Sequence, residues 1–320
     1  MNNKEKIILN ILAKYKLEIT SDFSFSENQL MIQSSQKNNL FKEIFLFCST
    51  HEICFSIINT DYEKSELLIF LPNEEKKEYF LFFSSTDKKN HQENKNFEKE
   101  YNNCKKQKIV PVIGPDGVGK TTLLKEVICS IENKVLYKRF KKIVRRSLLY
   151  NLMYPINKFL LKKRLNQKPT KDQVDDINAK LVIFCGIFYY PFLVFQTLVK
   201  NKLVFVDRFF NDYLLEDISF LDRSTKLRKN WTKVLRYIPK TFWLIHLDAK
   251  SEIILSRKGE LLDDDILQYR ELNFEIYLKK PSFVYTYINT GLEISLCKKI
   301  LLEVGKKIEI FEVREGTCLK

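Results

Sequence analysis

110-VPVIGPDGVGKTTLLKEV-127 is the stretch that decides the fold. It holds three of the chain's eight glycines, and no glycine precedes it. Gly114, Gly117 and Gly119 lie between the apolar run IVPVI and the helix-like run TTLLKEVICSIE. Glycine suits a backbone that must turn sharply or come close to a ligand. The spacing Gly114-x-x-x-x-Gly119-Lys120-Thr121 is the phosphate-loop pattern, in the strand–loop–helix setting that the pattern requires. There the N–H groups of the loop face the phosphates of a nucleotide, aided by the positive end of the helix. Asp116, Val118 and Thr122 belong to the same loop, Asp116 also fitting a simple turn position. Lys120 reaches the β- and γ-phosphates as a point charge, and the Thr121 hydroxyl can ligate Mg²⁺. ATP and Mg²⁺ are therefore the expected cofactors.

Outward from the loop the chain alternates. Strands are expected at 109–113, 134–138, 203–207, 241–247 and near 283–288. Helices are expected at 119–131, 250–257, 264–278 and 292–306, with a long basic helical region after the second strand. Such βα alternation with apolar strands argues for a parallel sheet covered by helices on both faces. Residues 1–85 carry an opening amphipathic helix and the strand-like runs IFLFCS, ICFSIINT and YFLFFSS, which read as a small α+β domain. Residues 86–107 are polar and free of aliphatic side chains, as in a linker or a solvated helix. The remainder, 108–320, holds the phosphate loop. No internal repeat is evident.

The net charge of +14 is uneven. Residues 1–107 balance to −1, so the positive field belongs to the phosphate-loop part. Within it, residues 138–168 hold 11 basic side chains and no acidic one. Such a field attracts anionic partners, from small phosphorylated acceptors and glycan ends to acidic lipid. Nucleic acid is not the expected partner. Seven cysteines without metal spacing read as reduced thiols, which places the chain in the cytoplasm.

181-LVIFCGIFYYPFLVFQTLV-199 is nineteen residues without a charge. By length it could span a bilayer. A span would put the phosphate loop and Asp207 on opposite sides of the membrane, so a core helix bent at Pro191 is expected. Peripheral contact with the inner membrane face is the lesser reading.

A phosphate loop needs a partner carboxylate, and KLVFVDRFFNDY supplies one. Asp207 ends an apolar strand, where a parallel sheet presents its ligand edge. It can hold Mg²⁺, and Arg208 beside it can offer a planar fork to a phosphate. His246, in the middle of an apolar strand, reads as a core histidine. Asp248 reads as a helix N-cap, and Asp263, Asp264 and Asp265 as residues that cap and charge the start of a helix.

GPDGVGKTT, LVFVDRFF and LDAKSEIILSRKGELLDDDILQYRELNFEIY together resemble the thymidylate kinase-like group of nucleotide and nucleoside kinases. The likeness is closest to the branch encoded among surface-polysaccharide biosynthesis genes, and it covers roughly residues 108–307. It implies a phosphate-loop kinase-type sheet and transfer of the γ-phosphoryl group of ATP to a nucleotide, sugar or glycan-end acceptor. It implies metal and acceptor roles for Asp207 and Arg208, and a lid over ATP for Arg257 and Lys258. With Gly117 and Val118 where some members carry a loop arginine, the resemblance implies that the lid, through Arg257, supplies the transition-state cation. Arg139 falls near a substrate-phosphate arginine. The first 85 residues bear a faint likeness to degenerate nucleotidyltransferase-like domains and lack that class's paired acidic motif. The other reading from the residues is an ATP-binding regulatory or assembly ATPase whose basic segment binds membrane or nucleic acid. Neither reading fixes the oligomeric state.

Overall fold

Runs of apolar residues with no polar alternation become strands buried on both faces. A computed structural model describes residues 3–15, 29–61, 63–71, 76–84, 90–166, 168–218, 234–257 and 263–314. Its strands are β1 (Gln29–Gln33), β2 (Cys54–Asn59), β3 (Lys64–Phe70), β4 (Lys76–Ser84), β5 (Ile109–Ile113), β6 (Val135–Arg139), β7 (Leu203–Asp207), β8 (Trp243–Asp248) and β9 (Val284–Asn289). The helices before the basic segment are α1 (Asn3–Tyr15), α2 (Lys37–Thr50), α3 (Asn90–Gln107) and α4 (Lys120–Cys129). Then come α5 (Phe140–Arg145), α6 (Leu148–Leu165), α7 (Lys171–Lys200), α8 (Phe210–Ile218), α9 (Ser251–Arg257), α10 (Asp263–Lys279) and α11 (Ile294–Lys307).

The nine strands form one mixed sheet in the order β1-β4-β3-β2-β9-β8-β5-β7-β6. The five from β9 to β6 run parallel, as the βα alternation requires. β2 joins them antiparallel to β9, with Phe55 opposite Tyr287 and Ile57 opposite Tyr285. Strands β1 to β4 therefore extend the same sheet. Their core is shared as well: Phe45 of α2 stacks on Phe274 of α10, with ring centroids 4.1 Å apart.

Two apolar layers cover the sheet. On one face, Ile109, Ile113, Val204 and Val206 meet residues of α1, α2, α5, α7 and α8. On the other, Val110, Val112, Phe205 and Trp243 meet α4, α9 and α11. The class is thus α/β, with helices on both faces.

Several local expectations change. IFLFCS, read as a strand, lies inside α2, whose buried residues Leu40, Phe41, Ile44, Phe45 and Cys48 recur at helical spacing. Residues 90–107 form a helix with one docked side: Tyr101 meets Phe242 and Phe283 edge-on, and Cys104 is buried. Asp248 is not a helix cap. It is fully buried at the end of β8, paired with Arg270 and bonded by the Tyr287 hydroxyl at 2.8 Å. His246 is a core residue as expected, its Nδ1 2.7 Å from the Tyr285 hydroxyl.

Candidate functional site

The turn after β5 is built by glycine. Gly114, Gly117 and Gly119 have φ of 144°, 90° and 91°, in the region that disfavours side chains. At Gly114 a Cβ would also collide with the carbonyl oxygen of Leu247 on β8. Gly119 precedes the first turn of α4, which turns that helix N-terminus toward the loop.

Lys120, the first residue of α4, folds back under the loop. Its Nζ donates to Gly114 O at 2.6 Å and Pro115 O at 2.9 Å. Burial lowers its pKa, while Asp212, Asp207 and Asp116 oppose that shift. Asp116 lies 3.9 Å from the ammonium and also pairs with Arg208. Arg208 takes φ 56°, an unusual conformation for a non-glycine residue, and sits directly after the strand that carries Asp207.

Asp207 is 1% exposed. Its Oδ2 accepts from the Tyr137 hydroxyl at 2.6 Å and from Arg139 Nε at 3.2 Å. Its Oδ1 is buried and has no hydrogen-bond partner among the described residues. The Tyr137 hydroxyl also lies 3.2 Å from Thr121 Oγ1, so the two expected metal ligands flank one phenol. Burial raises the Tyr137 pKa and the bond to Asp207 raises it further, so the phenol stays protonated. A carboxylate oxygen lacking a partner beside a threonine hydroxyl is a hard-oxygen donor pair that suits Mg²⁺. Among the described residues no group of three or more His, Cys, Asp or Glu could hold a metal. Two protein oxygens can nonetheless suffice for Mg²⁺ where water and ligand oxygens complete its shell.

Arg257 ends α9 and reaches across the loop, its Nη1 donating to Gly117 O at 3.3 Å. Lys258 lies outside the described residues. Loop, α4, Arg139, Asp207 and Arg257 line one cleft of about 520 Å³. Thr290, Leu292, Ile294 and Cys297 line it too, and Thr290 Oγ1 donates to Val118 O at 2.6 Å. A second cavity of about 370 Å³ lies between β6, α5 and α7. Arg139 lines both. The second cavity also presents Lys138, Lys142, Arg146, Lys200 and Lys202, over apolar Leu136 and Leu193.

Thus Gly114, Asp116, Gly117, Val118, Gly119, Lys120, Thr121, Thr122, Arg139, Asp207, Arg208 and Arg257 gather at the ends of β5, β6 and β7. Sequence reasoning missed Tyr137, Asp212 and Thr290. Asp212 is buried on α8, five residues past Asp207, and is the strongest carboxylate influence on Lys120. No family model and no curated protein matches the chain.

Proposed function

We propose that the chain is an ATP- and Mg²⁺-dependent phosphotransferase of the thymidylate kinase-like, phosphate-loop type. Its acceptor is anionic: a nucleotide, a sugar phosphate or a charged glycan end. The observation that carries this reading is the convergence of Lys120, Thr121, Asp207 and Arg257 on one cleft beside a glycine turn. Phosphoryl transfer asks a protein mainly for positioning and charge stabilisation, and these residues supply both.

Thr121 and Asp207 Oδ1 would hold Mg²⁺, which when bound neutralises charge on the phosphate oxygens. Loop N–H groups orient the triphosphate. Lys120 moves from its two loop carbonyls to the phosphates. Arg257, already at the loop, offsets the charge that develops during transfer. Leu292 and Ile294 give the cleft an apolar surface for a nucleobase. Arg139 stands between the two cavities, and the lysines and arginines of the second draw in the acceptor's own charge.

The test is transfer of radiolabelled phosphate from ATP into pools of nucleotides, sugars and glycan extracts. Acceptor-dependent ADP release is expected, and Lys120→Ala should lower it by about 10²-fold or more. ATP hydrolysis without transfer to any pool, or turnover unchanged in Lys120→Ala, would overturn the kinase reading.

A further inference from the structure

α7 is apolar on both sides, yet the described residues cover only one. Val182, Cys185, Tyr190 and Leu193 are buried against the sheet. Phe184, Phe188, Phe192, Phe195, Leu198 and Val199 face outward, and Phe188 and Phe195 are 63% and 61% exposed. Their spacing of three and four residues makes a single stripe along the helix. α6, joined to α7 through residues 166–170, packs on it and is tied to it by the Tyr150 hydroxyl, which donates to Asn178 Oδ1 at 2.8 Å. It repeats the pattern: Leu148, Leu152, Ile156, Phe159 and Leu160 are all more than half exposed. On the same side, four residues beyond Phe159, stands Lys163, with Lys162 beside it; both are exposed. Lys180 begins the stripe on α7 and is exposed as well.

We propose that the outer faces of α6 and α7 seat the protein on an anionic lipid surface, lying in the interface rather than crossing it. Residues 177–200 are long and apolar enough to span a bilayer. Crossing is excluded by packing: Val182, Cys185 and Leu193 of α7 share the core cluster of Val204 and Val206 on β7, so one side of the helix stays against the protein. An interfacial helix instead buries aromatic and aliphatic side chains at the acyl boundary, while lysines meet the headgroups. Charge selects the occupant. α6 carries Lys158, Lys162, Lys163 and Arg164 and no acidic residue, so a second copy docked through α6 would offer those cations no opposite charge. A neutral apolar partner would leave those charges unmatched, whereas an acidic bilayer matches both features. This inference does not depend on the phosphotransferase reading.

The test is co-sedimentation of the full chain with sucrose-loaded vesicles, of phosphatidylcholine alone or with about one third phosphatidylglycerol. Binding to the anionic vesicles is expected to be at least about tenfold tighter, and to weaken as salt is raised. The double variant Phe188→Asp/Phe195→Asp should lose binding to both vesicle types. Lys162→Glu/Lys163→Glu should fall to the level of the neutral vesicles. All four side chains are exposed, and the unfolding midpoint of each variant checks that the fold is kept. The charge variant alone suffices if the phenylalanine variant does not fold. Failure to sediment, or equal binding to the two vesicle types, overturns the proposal. So does a dimer, seen by light scattering without lipid, that dissociates in the phenylalanine variant.

Discussion

Arg257 and His246 show how the same chain uses a side chain in opposite ways, one held over a cleft and one sealed in the core. Among the described residues, Arg257 reaches the loop by a hydrogen bond of 3.3 Å to the carbonyl of Gly117. A cation of this kind acts mainly in the transition state. Arg257→Ala should therefore lower turnover by about 10²-fold while changing ATP affinity by about threefold or less. Loss confined to ATP affinity, measured by equilibrium binding beside steady-state rates, would remove the lid assignment. Lys258 follows directly in sequence and can replace part of the charge, so the double variant should be slower still. His246 is different. Burial depresses its pKa from 6.5 to about 4, so it stays neutral in the folded state where the unfolded chain would protonate it. Between pH 6.5 and 4 the unfolded state binds more protons. Stability is thus full above the unfolded value and is lost as pH falls toward the folded one, by up to about 3 kcal/mol. Urea unfolding across that window should show this slope in the wild type and a flatter one in His246→Gln. Equal slopes would mean that His246 contributes nothing to the acid limb.

Elements explain which features the sequence disclosed. The loop and Asp207 were legible because each rests on local spacing next to an apolar strand, whereas Arg257 was singled out only by the family resemblance. Tyr137, Asp212 and Thr290 were not. Tyr137 and Thr290 come from other segments and Asp212 from the stretch quoted for Asp207; none carries a motif, and they acquire meaning only when β6, α8 and the turn after β9 meet at the loop. β1 and β3 were missed for a different reason. One is five residues bounded by glutamine, and the other opens with Lys64, Ser65 and Glu66, which hid an apolar run, Leu67–Leu71, as long as IVPVI. α2 was misread because its last turns are apolar on adjacent faces. Only a window reaching back to Leu40 exposes the helical period. The basic segment, legible as one unit of charge, divides in space. Lys138, Arg139, Lys142 and Arg146 line the cavity beside β6, while Lys162 and Lys163 sit toward the end of α6. The two groups should separate in experiment. Lys142→Ala/Arg146→Ala should raise the acceptor KM several-fold with ATP KM unchanged, and should flatten the salt dependence of acceptor binding. The same substitutions at Lys162 and Lys163 should leave both constants as they were. Identical acceptor kinetics in all three proteins would return the cavity to ordinary solvated surface.

At the scale of the whole molecule the question is whether the phosphate-loop part stands alone. The polar stretch before Ile109 has the composition of a linker, which suggests a unit that could be separated there. The sheet argues otherwise. β9, buried along its whole length, is flanked on one side by β8 and on the other by β2. Removing residues 1–84 would leave one edge of β9 with unpaired backbone groups in an apolar setting. It would also strip Phe45 and Phe55 from Phe274, Tyr285 and Tyr287, opening the core that holds His246. The site would feel this directly. Tyr287 bonds Asp248, Asp248 pairs with Arg270, and the residue before Asp248, Leu247, packs its carbonyl against Gly114 at the start of the loop. A chain of residues 108–320 should therefore fail to unfold cooperatively and should aggregate, and its binding of ATP should be lost with its fold. The milder variant Ile57→Asp, at a fully buried position of β2, should lower stability by several kcal/mol, since it buries an unpaired carboxylate. If the shortened chain instead melts in one sharp transition and still binds ATP, the first four strands are an appendage. The pairing of β2 with β9 would then serve something other than holding the loop in place.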